Sequence, residues 1–258
     1  MIAVSIRNLF ELTGKVAVVT GGARGIGRAG ADTFAEMGAD IALLDMHEEN
    51  LAKAKAEIAA ATGRKVEGYL CDVTSEASVV STFEAICAAF GRVDILFNSA
   101  GIVIWGKAEE VSADDWDKVI NCDLKGTFLC CREAGKLMIA QQGGSIINVA
   151  SMSAHIVNTP QRQASYNAAK AGVVHLTRSL AVEWAQHKVR VNSISPGYIA
   201  TEMTMTVPEY HPGWEAQIPM KRMGQPAELM GALVYLASDA STYTTGSDMI
   251  IDGAYTCW

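Results

Sequence analysis

Short apolar runs alternate with longer amphipathic stretches along almost the whole chain. The apolar runs are rich in β-branched residues and bounded by glycine or polar residues, which is typical of buried strands. They predict strands at "KVAVVT" (15–20), "DIALLD" (40–45), "KVEGYLCDV" (65–73), "RVDILFNSAG" (92–101), "GGSIINVAS" (143–151), "VRVNSISPG" (189–197) and "SDMIIDG" (247–253). Because these runs are continuously apolar, we expect a parallel sheet with helices on both faces, in an α/β fold.

The stretches between the strands repeat their apolar residues with helical periodicity. The predicted helices are 25–38, 48–63, 75–90, 112–142, 164–187 and 226–238. One segment breaks the pattern: "TEMTMTVPEYHPGWEAQIPMKRMGQ" (201–225) is rich in methionine, proline and aromatic residues and has weak periodicity. A loop of that length inside a compact domain is usually a lid or a binding loop. We therefore expect 201–225 to cover a substrate.

Length and composition narrow the class of protein. A chain of 258 residues without a low-complexity linker suits a single domain spanning 1–258. The net charge of −7 disfavours nucleic acid and anionic membranes as partners. No apolar run approaches a membrane span, and we identify no signal peptide. The six cysteines form no C-x-x-C pair, which favours free thiols in the cytoplasm, and no residue cluster has metal-ligand spacing.

A glycine-rich loop, "TGGARGIG" (20–27), joins the first strand to the first helix. Such glycines let the backbone turn sharply and approach a diphosphate, which the helix N-terminus attracts. Asp45 ends the second strand, where a carboxylate accepts hydrogen bonds from ribose hydroxyls and repels a 2′-phosphate. We therefore expect NAD as the cofactor in preference to NADP. Arg24 argues the other way, because its guanidinium could bind a 2′-phosphate. The alternative is that Arg24 pairs with a carboxylate and has no part in cofactor choice.

Tyr166 and Lys170 lie four residues apart in a predicted helix, within "SYNAAKAG" (165–172). Side chains at that spacing are neighbours on one helix face, with Cβ atoms about 5–6 Å apart. Free tyrosine has a pKa of about 10, and a nearby ammonium favours the phenolate. Lowering that pKa by two to three units needs roughly 3–4 kcal/mol. The pair is thus a candidate for general acid–base chemistry on an alcohol.

The motifs occur in the order seen in one family. "TGGARGIG", "CDV", "NSAG", "NCDLKG", "NVASMS", "YNAAK" and "SPGYIATEM" resemble the classical short-chain dehydrogenase/reductases, from about Gly14 to Gly253. "SMSAHIVNTPQ" and the ending "DGAYTCW" resemble its polyol dehydrogenases of the galactitol and sorbitol type. The resemblance implies a Rossmann-like doubly wound sheet of about seven strands, in the order 3-2-1-4-5-6-7. It also implies a homotetramer built on the helices near 112–140 and 164–187.

The family's functional residues carry over position by position. The catalytic set implied by the resemblance is Asn121, Ser151, Tyr166 and Lys170. The cofactor-binding set is Gly21, Arg24, Gly25, Ile26, Gly27, Asp45, Asp72, Val73, Asn98, Ala100, Gly101, Tyr166, Lys170, Pro196, Gly197, Ile199 and Thr201. Asn121 would support a water that links Lys170 to solvent. Ser151 lies 15 residues before the tyrosine and Ser153 lies 13 before it, so Ser153 is a second candidate.

The sequence indicates the substrate less clearly than it indicates the cofactor. Ser151, Ser153, Asn158 and Tyr166 form the predicted substrate set, and polar groups between Ser151 and Tyr166 suit a substrate with several hydroxyls. The leading interpretation is an NAD-dependent dehydrogenase that converts a polyol or sugar alcohol to the ketose. Two alternatives stay open: an NADPH-dependent reductase of ketoses or 3-ketoacyl groups, and a dinucleotide-binding sensor without catalysis.

Overall fold

The computed structural model describes residues 5–258. Its strands are β1 (Val16–Thr20), β2 (Asp40–Asp45), β3 (Val66–Leu70), β4 (Ile95–Asn98), β5 (Gly144–Val149), β6 (Val189–Pro196) and β7 (Asp248–Ile251). They form one sheet in the order β3-β2-β1-β4-β5-β6-β7. Every neighbouring pair is parallel. The α/β class and the strand order expected from the sequence are thereby confirmed.

Helices cover both faces of this sheet. They are α1 (Gly25–Glu36), α2 (Glu48–Thr62), α3 (Glu76–Phe90), α4 (Ala113–Ile120), α5 (Thr127–Ala140), α6 (Ala164–Trp184), α7 (Glu202–Met205), α8 (His211–Gln217) and α9 (Ala227–Ala237). Within the described residues, no helix combines the length and the apolar character needed to cross a membrane.

The side chains of each strand alternate between two apolar cores. Ala17 and Val19 of β1 pack with Phe34 of α1 in the core shared with α2 and α9. Val18 points to the other face and packs in the core that contains Phe83 of α3 and residues of α5 and α6. Full burial of a side chain such as Phe34 stabilises the fold by roughly 1.5–3 kcal/mol. The sheet is thus held between two helical layers, which fixes the positions of its strand ends.

Several strands end earlier than the apolar runs that predict them. The predicted strand 65–73 is observed only as β3, which stops at Leu70, and β4 stops at Asn98, where its run leads into the predicted glycine loop. Residues 71–73 and 99–101 lie beyond the last ladder pairs of their strands, Asp45 with Leu70 and Thr20 with Asn98. They therefore form loops at the carboxyl edge of the sheet, where the candidate site lies.

The predicted helix 112–142 is interrupted. A six-residue π-helical turn, Asn121–Gly126, separates α4 from α5. Gly126 sits where a Cβ atom would lie 2.9 Å from the Val73 side chain, so this turn packs tightly on the loop after β3. Wide turns of this kind are rare and often occur at functional sites. The turn carries Asp123, whose side chain is fully buried.

Segment 201–225 is more ordered than the expected loop. It contains α7, a 3₁₀ turn at Pro208–Tyr210 and α8, so the prediction of an irregular loop is wrong. Trp214 anchors it: the indole is 1% exposed and stacks on Tyr198, with ring centroids 4.2 Å apart. Helices of four and seven residues are not stable alone, and this tertiary packing stabilises them.

Candidate active site

The candidate site lies at the carboxyl edge of the sheet, around the junction of β1 and β4. The strand order reverses there. From β1 the chain adds β2 and β3 on one side of the sheet, and then crosses to add β4 to β7 on the other side. In doubly wound sheets the crevice at this point is where dinucleotides bind. The loops after β1, β4, β5 and β6 carry the residues that the sequence singled out.

The loop after β1 is built for close approach of a ligand to its backbone. Gly21 has φ +61°, and a Cβ atom there would lie 3.0 Å from the Ala100 Cα. A side chain at Gly27 would run into the carbonyl oxygen of Gly21. Helix α1 then begins at Gly25, and its N-cap residue, Arg24, makes no side-chain capping bond. The exposed N–H groups of this turn fit a diphosphate, so the predicted cradle is compatible with a dinucleotide.

Asp45 lies beside that cradle at the end of β2. Its Oδ2 accepts a hydrogen bond from the Ala23 N–H at 3.2 Å, and its Oδ1 accepts one from the His47 N–H at 3.1 Å. Arg24 points elsewhere: its Nη1 lies 3.4 Å from Glu202 Oε2, with both side chains exposed. Within residues 5–258 no cation forms an ion pair with Asp45. The end of β2, where the sequence predicts ribose binding, therefore presents a carboxylate without a counter-charge.

Other predicted cofactor residues have roles within the fold. Asp72 Oδ1 accepts hydrogen bonds from the Thr74 N–H at 2.9 Å and its hydroxyl at 2.8 Å, so Asp72 caps a turn. The Asn98 side chain is buried and donates to Asn148 Oδ1 at 2.9 Å, which ties β4 to β5. Its carboxamide therefore serves the sheet, and only its backbone faces the loop. Ala100 donates its N–H to the Thr20 hydroxyl at 3.1 Å.

The segment after β6 closes the other side of the crevice. Pro196 ends the strand, and a Cβ atom at Gly197 would lie 2.7 Å from the Asp252 Cα, so only glycine fits there. Ile199 forms an isolated parallel bridge with Gly224. The Thr201 side chain is the nearest group to a Cβ atom built at Gly25, at 3.9 Å. The structure thus brings the predicted cofactor-binding segment after β6 against the glycine loop.

Lys170 is buried within reach of Tyr166, as the helical spacing predicts. Lys170 is 4% exposed as a residue, and its ammonium donates to the Val149 carbonyl at 2.9 Å and lies 5.4 Å from the centroid of the Tyr166 ring. Burial nevertheless raises the pKa of Tyr166 above its ordinary value, and the Lys170 charge offsets that rise only in part. The ammonium alone therefore does not bring the phenol near neutrality; the lowering expected from the sequence needs a second positive charge beside it, the nicotinamide ring of the oxidised cofactor.

Ser151 completes the reacting group. It is 7% exposed, follows β5 directly, and lines the same pocket as the Tyr166 phenol. Interaction with its hydroxyl favours the phenolate and lowers the pKa of Tyr166 slightly. The Ser151 hydroxyl also donates to Ser153 Oγ at 3.0 Å. Ser153 in turn donates to Asn158 Oδ1 at 2.6 Å, so Ser151 is the serine nearer the phenol and Ser153 supports it.

The side chain that contacts Lys170 directly belongs to Asp123. Asp123 Oδ2 lies 3.2 Å from Lys170 Nζ, and Asp123 is fully buried. Asn121, two positions earlier in the π turn, makes no side-chain hydrogen bond to Lys170 in the part of the chain that is described. The direct contact is thus made by Asp123, and the support of a water by Asn121 stays a prediction. A carboxylate in a helical stretch gives no sequence signal for this contact.

A polar network forms the wall of the pocket beyond Ser151. The Gln163 amide donates to Asn158 Oδ1 at 3.2 Å, and the Asn158 amide donates to the Tyr198 hydroxyl at 3.2 Å. The Gln161 amide donates to the same hydroxyl at 2.7 Å and accepts from the Trp214 indole at 3.1 Å. Sequence reasoning found Asn158 but missed Gln163 and Tyr198, whose proximity depends on long-range packing.

Two further groups bear on the pocket. Trp105 lines it, and its buried indole N–H has no partner among the described residues, so it is a donor available to a ligand. His155 lies elsewhere: its Nε2 is 2.8 Å from Asp248 Oδ2, away from Ser151. In residues 5–258, no group of three His, Cys, Asp or Glu side chains is placed to hold a metal ion.

A glycine-rich turn, a carboxylate at the end of β2 and a Ser–Tyr–Lys group are the features expected of a dinucleotide-dependent oxidoreductase. A family model described as enoyl-(acyl carrier protein) reductase matches residues 21–256. The chain belongs to the classical short-chain dehydrogenase/reductase family. A probable NADP-dependent mannitol dehydrogenase of Yarrowia lipolytica is 46% identical over 258 residues, covering 98% of this chain and 91% of that protein.

Two further proteins resemble this chain to a degree comparable with the mannitol dehydrogenase. A sorbose reductase of Candida albicans is 45% identical over 258 residues, covering 98% of this chain and 91% of that one. The crystal structure of a short-chain type dehydrogenase/reductase from Mycobacterium marinum has a TM-score of 0.96 at 43% identity, covering 98% of this chain and 100% of that one. The fold is therefore shared with the solved structure over nearly the whole chain.

Proposed function

We propose that this protein interconverts a secondary alcohol of a polyol and the corresponding ketose, with a nicotinamide dinucleotide as the hydride carrier. The observation that carries the proposal is the pocket that joins the Ser151 hydroxyl and the Tyr166 phenol to a buried polar wall. Amide and hydroxyl groups in such a wall can bind several substrate hydroxyls at once. The relatives named for mannitol and sorbose support this substrate class.

The side chains divide the chemistry among them. The nicotinamide, when bound, supplies hydride transfer at the reacting carbon. Tyr166 takes the hydroxyl proton during oxidation and returns it during reduction, as a general base and acid. Ser151 hydrogen-bonds the same substrate oxygen and holds it in line with the phenol. Lys170 lies beside the ring and favours the phenolate electrostatically.

The preferred cofactor in this proposal is NAD. Asp45 presents a carboxylate that two backbone N–H groups orient and that no cation neutralises within the described chain. A 2′-phosphate would add negative charge beside it. The mannitol dehydrogenase of Yarrowia lipolytica is named as NADP-dependent, so NADPH-dependent ketone reduction is the second candidate. Arg24 is the residue that favours it, because that exposed guanidinium could leave Glu202 and meet the phosphate.

Segment 201–225 is proposed as the lid of the pocket. Met203, Thr204 and Trp214 belong to its wall, so the segment borders the substrate directly. Trp214 fixes one end, whereas Met203 is 46% exposed and free to rearrange. Loops and short helices that close over a substrate exclude water and complete the site.

The assembly and location follow as part of the same proposal. Val182 of α6 is 82% exposed and Trp258 at the C-terminus is 77% exposed, and both are large apolar side chains. Their burial between copies of the chain would support a homotetramer. All six cysteines are free thiols, which suits the reducing cytoplasm. We propose the single domain 1–258 as the unit of folding, because all seven strands share one sheet.

The test is a set of initial rates, followed by the absorbance of reduced nicotinamide, with galactitol, sorbitol, mannitol, xylitol and arabinitols. Each alditol is paired with NAD⁺ and with NADP⁺, and the corresponding ketoses are tested in reverse. Turnover of alditols with NAD⁺ supports the proposal. Turnover only with NADP⁺ supports the second candidate. Tight dinucleotide binding without turnover of any alcohol or ketone would instead indicate the non-catalytic sensor.

A further inference from the structure

The pair formed by Asp123 and Lys170 joins two buried charges beside the reacting phenol. Asp123 is 0% exposed and Lys170 is 4% exposed, with Oδ2 and Nζ 3.2 Å apart. The other carboxylate oxygen, Oδ1, accepts the Ile102 N–H at 2.8 Å and is thereby fixed in place. Apart from the ammonium, Oδ2 has no hydrogen-bond partner among the described residues. Taking such charges out of water is costly unless each compensates the other.

We propose that Asp123 is a positioning residue: its buried carboxylate holds Lys170 charged and in place beside Tyr166, and so sets the pH range of catalysis. The proposal rests on the proposed redox function of Tyr166 and Lys170 and adds a residue to it. The loop after β4 fixes the arrangement, because a Cβ atom at Gly101 would lie 3.0 Å from Asp123 Oδ2 and 3.4 Å from Lys170 Nζ.

Three elements place titratable groups around the Asp123 carboxylate, and a fourth places only backbone groups there. Helix α6 contributes Lys170 and Tyr166, and the π turn contributes Cys122, whose pKa burial raises to about 12, so the thiol is neutral. The loop after β3 contributes Asp72, which acts on Cys122. The loop after β4 contributes only backbone groups, through Ile102. Lys170 is therefore the one cation in this set.

Burial raises the pKa of Asp123 itself, and the Lys170 charge and the Ile102 N–H oppose that rise. The ionised carboxylate acts on both neighbours in the same direction. Burial lowers the pKa of Lys170, but the Asp123 carboxylate raises it, and the net direction is upward. The same carboxylate opposes the phenolate and adds to the rise in the pKa of Tyr166 that burial causes. Removal of one negative charge must therefore lower both pKa values. The phenol would ionise at lower pH, and the ammonium would also lose its proton at lower pH.

The decisive variant is Asp123→Asn, which keeps the shape and removes the charge. Alcohol oxidation needs an ionised Tyr166 and a protonated Lys170, so its rate rises and then falls with pH. We expect both limbs of the Asp123→Asn profile to move to lower pH by roughly one unit or more. Shifts of this size are typical when an opposite or like charge within about 4–6 Å is removed. A residue with only a packing role would lower the rate at all pH values without moving either limb.

A matched control is Asp94→Asn. Asp94 is 7% exposed and accepts the Val16 N–H at 2.9 Å, but it precedes β4 at the opposite edge of the sheet. This control removes a buried carboxylate of comparable importance to the fold and should leave the pH limbs in place. A shift of equal size in Asp94→Asn would overturn the proposal, because the effect would then be general.

A second readout does not need turnover. The tyrosinate absorbance of each protein is titrated with pH and compared with its Tyr166→Phe counterpart, which isolates Tyr166. The midpoint should lie lower in Asp123→Asn than in the wild type. If the wild type turns over no alcohol, the proposed function fails, yet this titration still decides the role of Asp123. An unchanged midpoint overturns the proposal whatever the enzyme's activity.

Two further measurements decide the proposal if Asp123→Asn does not fold. Asp123→Ser removes the charge with a smaller side chain, and we expect it to shift the profile in the same direction as Asp123→Asn. If neither variant folds, wild-type protein with ¹³C-labelled aspartate carboxyl groups decides by NMR. Ionised resonances for every aspartate at the working pH support the charged pair. A protonated aspartate carboxyl at that pH overturns it.

Discussion

The carboxylate of Asp45 should determine which dinucleotide the enzyme prefers, and replacement by serine tests this. Asp45→Ser removes the charge and keeps a small hydrogen-bonding side chain at the end of β2. The variant loses at least part of the Ala23 N–H contact, observed at 3.2 Å. That loss weakens the glycine loop for NAD⁺ and NADP⁺ alike. The ratio of the two kcat/KM values cancels it and isolates the charge effect.

The magnitude follows from Coulomb's law. Two unit charges about 4 Å apart repel by ~1 kcal/mol in bulk water and ~4 kcal/mol at the effective dielectric of a protein surface. Asp45 is half-buried, so its environment lies between these limits. A repulsion of roughly 1.4 to 2.8 kcal/mol corresponds to about ten- to hundredfold in specificity. We expect Asp45→Ser to move the NAD⁺/NADP⁺ ratio towards NADP⁺ by that factor.

The assay compares kcat/KM for both cofactors at saturating alditol. Asp40→Ser is the matched control, because Asp40 begins the same strand, where its Oδ1 pairs with Arg64 Nη2 at 2.7 Å. The control should leave the ratio unchanged. An unchanged ratio in Asp45→Ser would refute the electrostatic reasoning. A wild type that already prefers NADP⁺ would show that Arg24 leaves Glu202 and outweighs the carboxylate.

Three other predictions address the chemistry, the pocket and the cradle. Tyr166→Phe should lower kcat by about 10²–10⁴-fold, while dinucleotide binding, measured by fluorescence titration, stays intact. Because burial raises the pKa of Tyr166, the wild-type rate of oxidation should rise, and the rate of reduction should fall, as pH rises into the alkaline range. Asn158→Ala should raise KM for alditols about tenfold, the loss of a hydrogen bond of ~1.4 kcal/mol, with KM for the dinucleotide unchanged. Gly27→Ala should abolish dinucleotide binding, because its methyl group would run into the Gly21 carbonyl, whereas Gly143→Ala, with open space around it, should bind normally; equal binding by both variants would contradict the cradle.

The fold could be predicted from the sequence because its signals are local and repeated. Each buried strand is a short apolar run between polar or glycine boundaries, and seven such runs leave few arrangements for a parallel sheet. The helix break at Asn121–Gly126 gave no comparable signal, since its residues fit an ordinary helical pattern. Its position depends on Gly126 packing against Val73, a contact between segments more than fifty residues apart in sequence.

The site could be predicted only where a motif fixes a local geometry. Tyr166 and Lys170 are neighbours in any helix, so their pairing followed from spacing alone. The place of Asp123 did not, because it depends on where the π turn meets α6. The pKa of Tyr166 depends on the fold for a related reason: spacing shows the ammonium, but only the folded structure shows that burial opposes it.

Chemistry and substrate selection use different parts of this fold. The phenol and the ammonium belong to one rigid helix, α6, which packs against β6 and the π turn. The polar wall instead joins three segments: the turn after β5, the start of the β6 exit loop at Tyr198, and α8 through Trp214. A change in α8 can therefore alter which hydroxyls are bound without moving the reacting pair. In the proposed function, substrates that differ away from the reacting carbon would therefore meet the same Tyr–Lys arrangement.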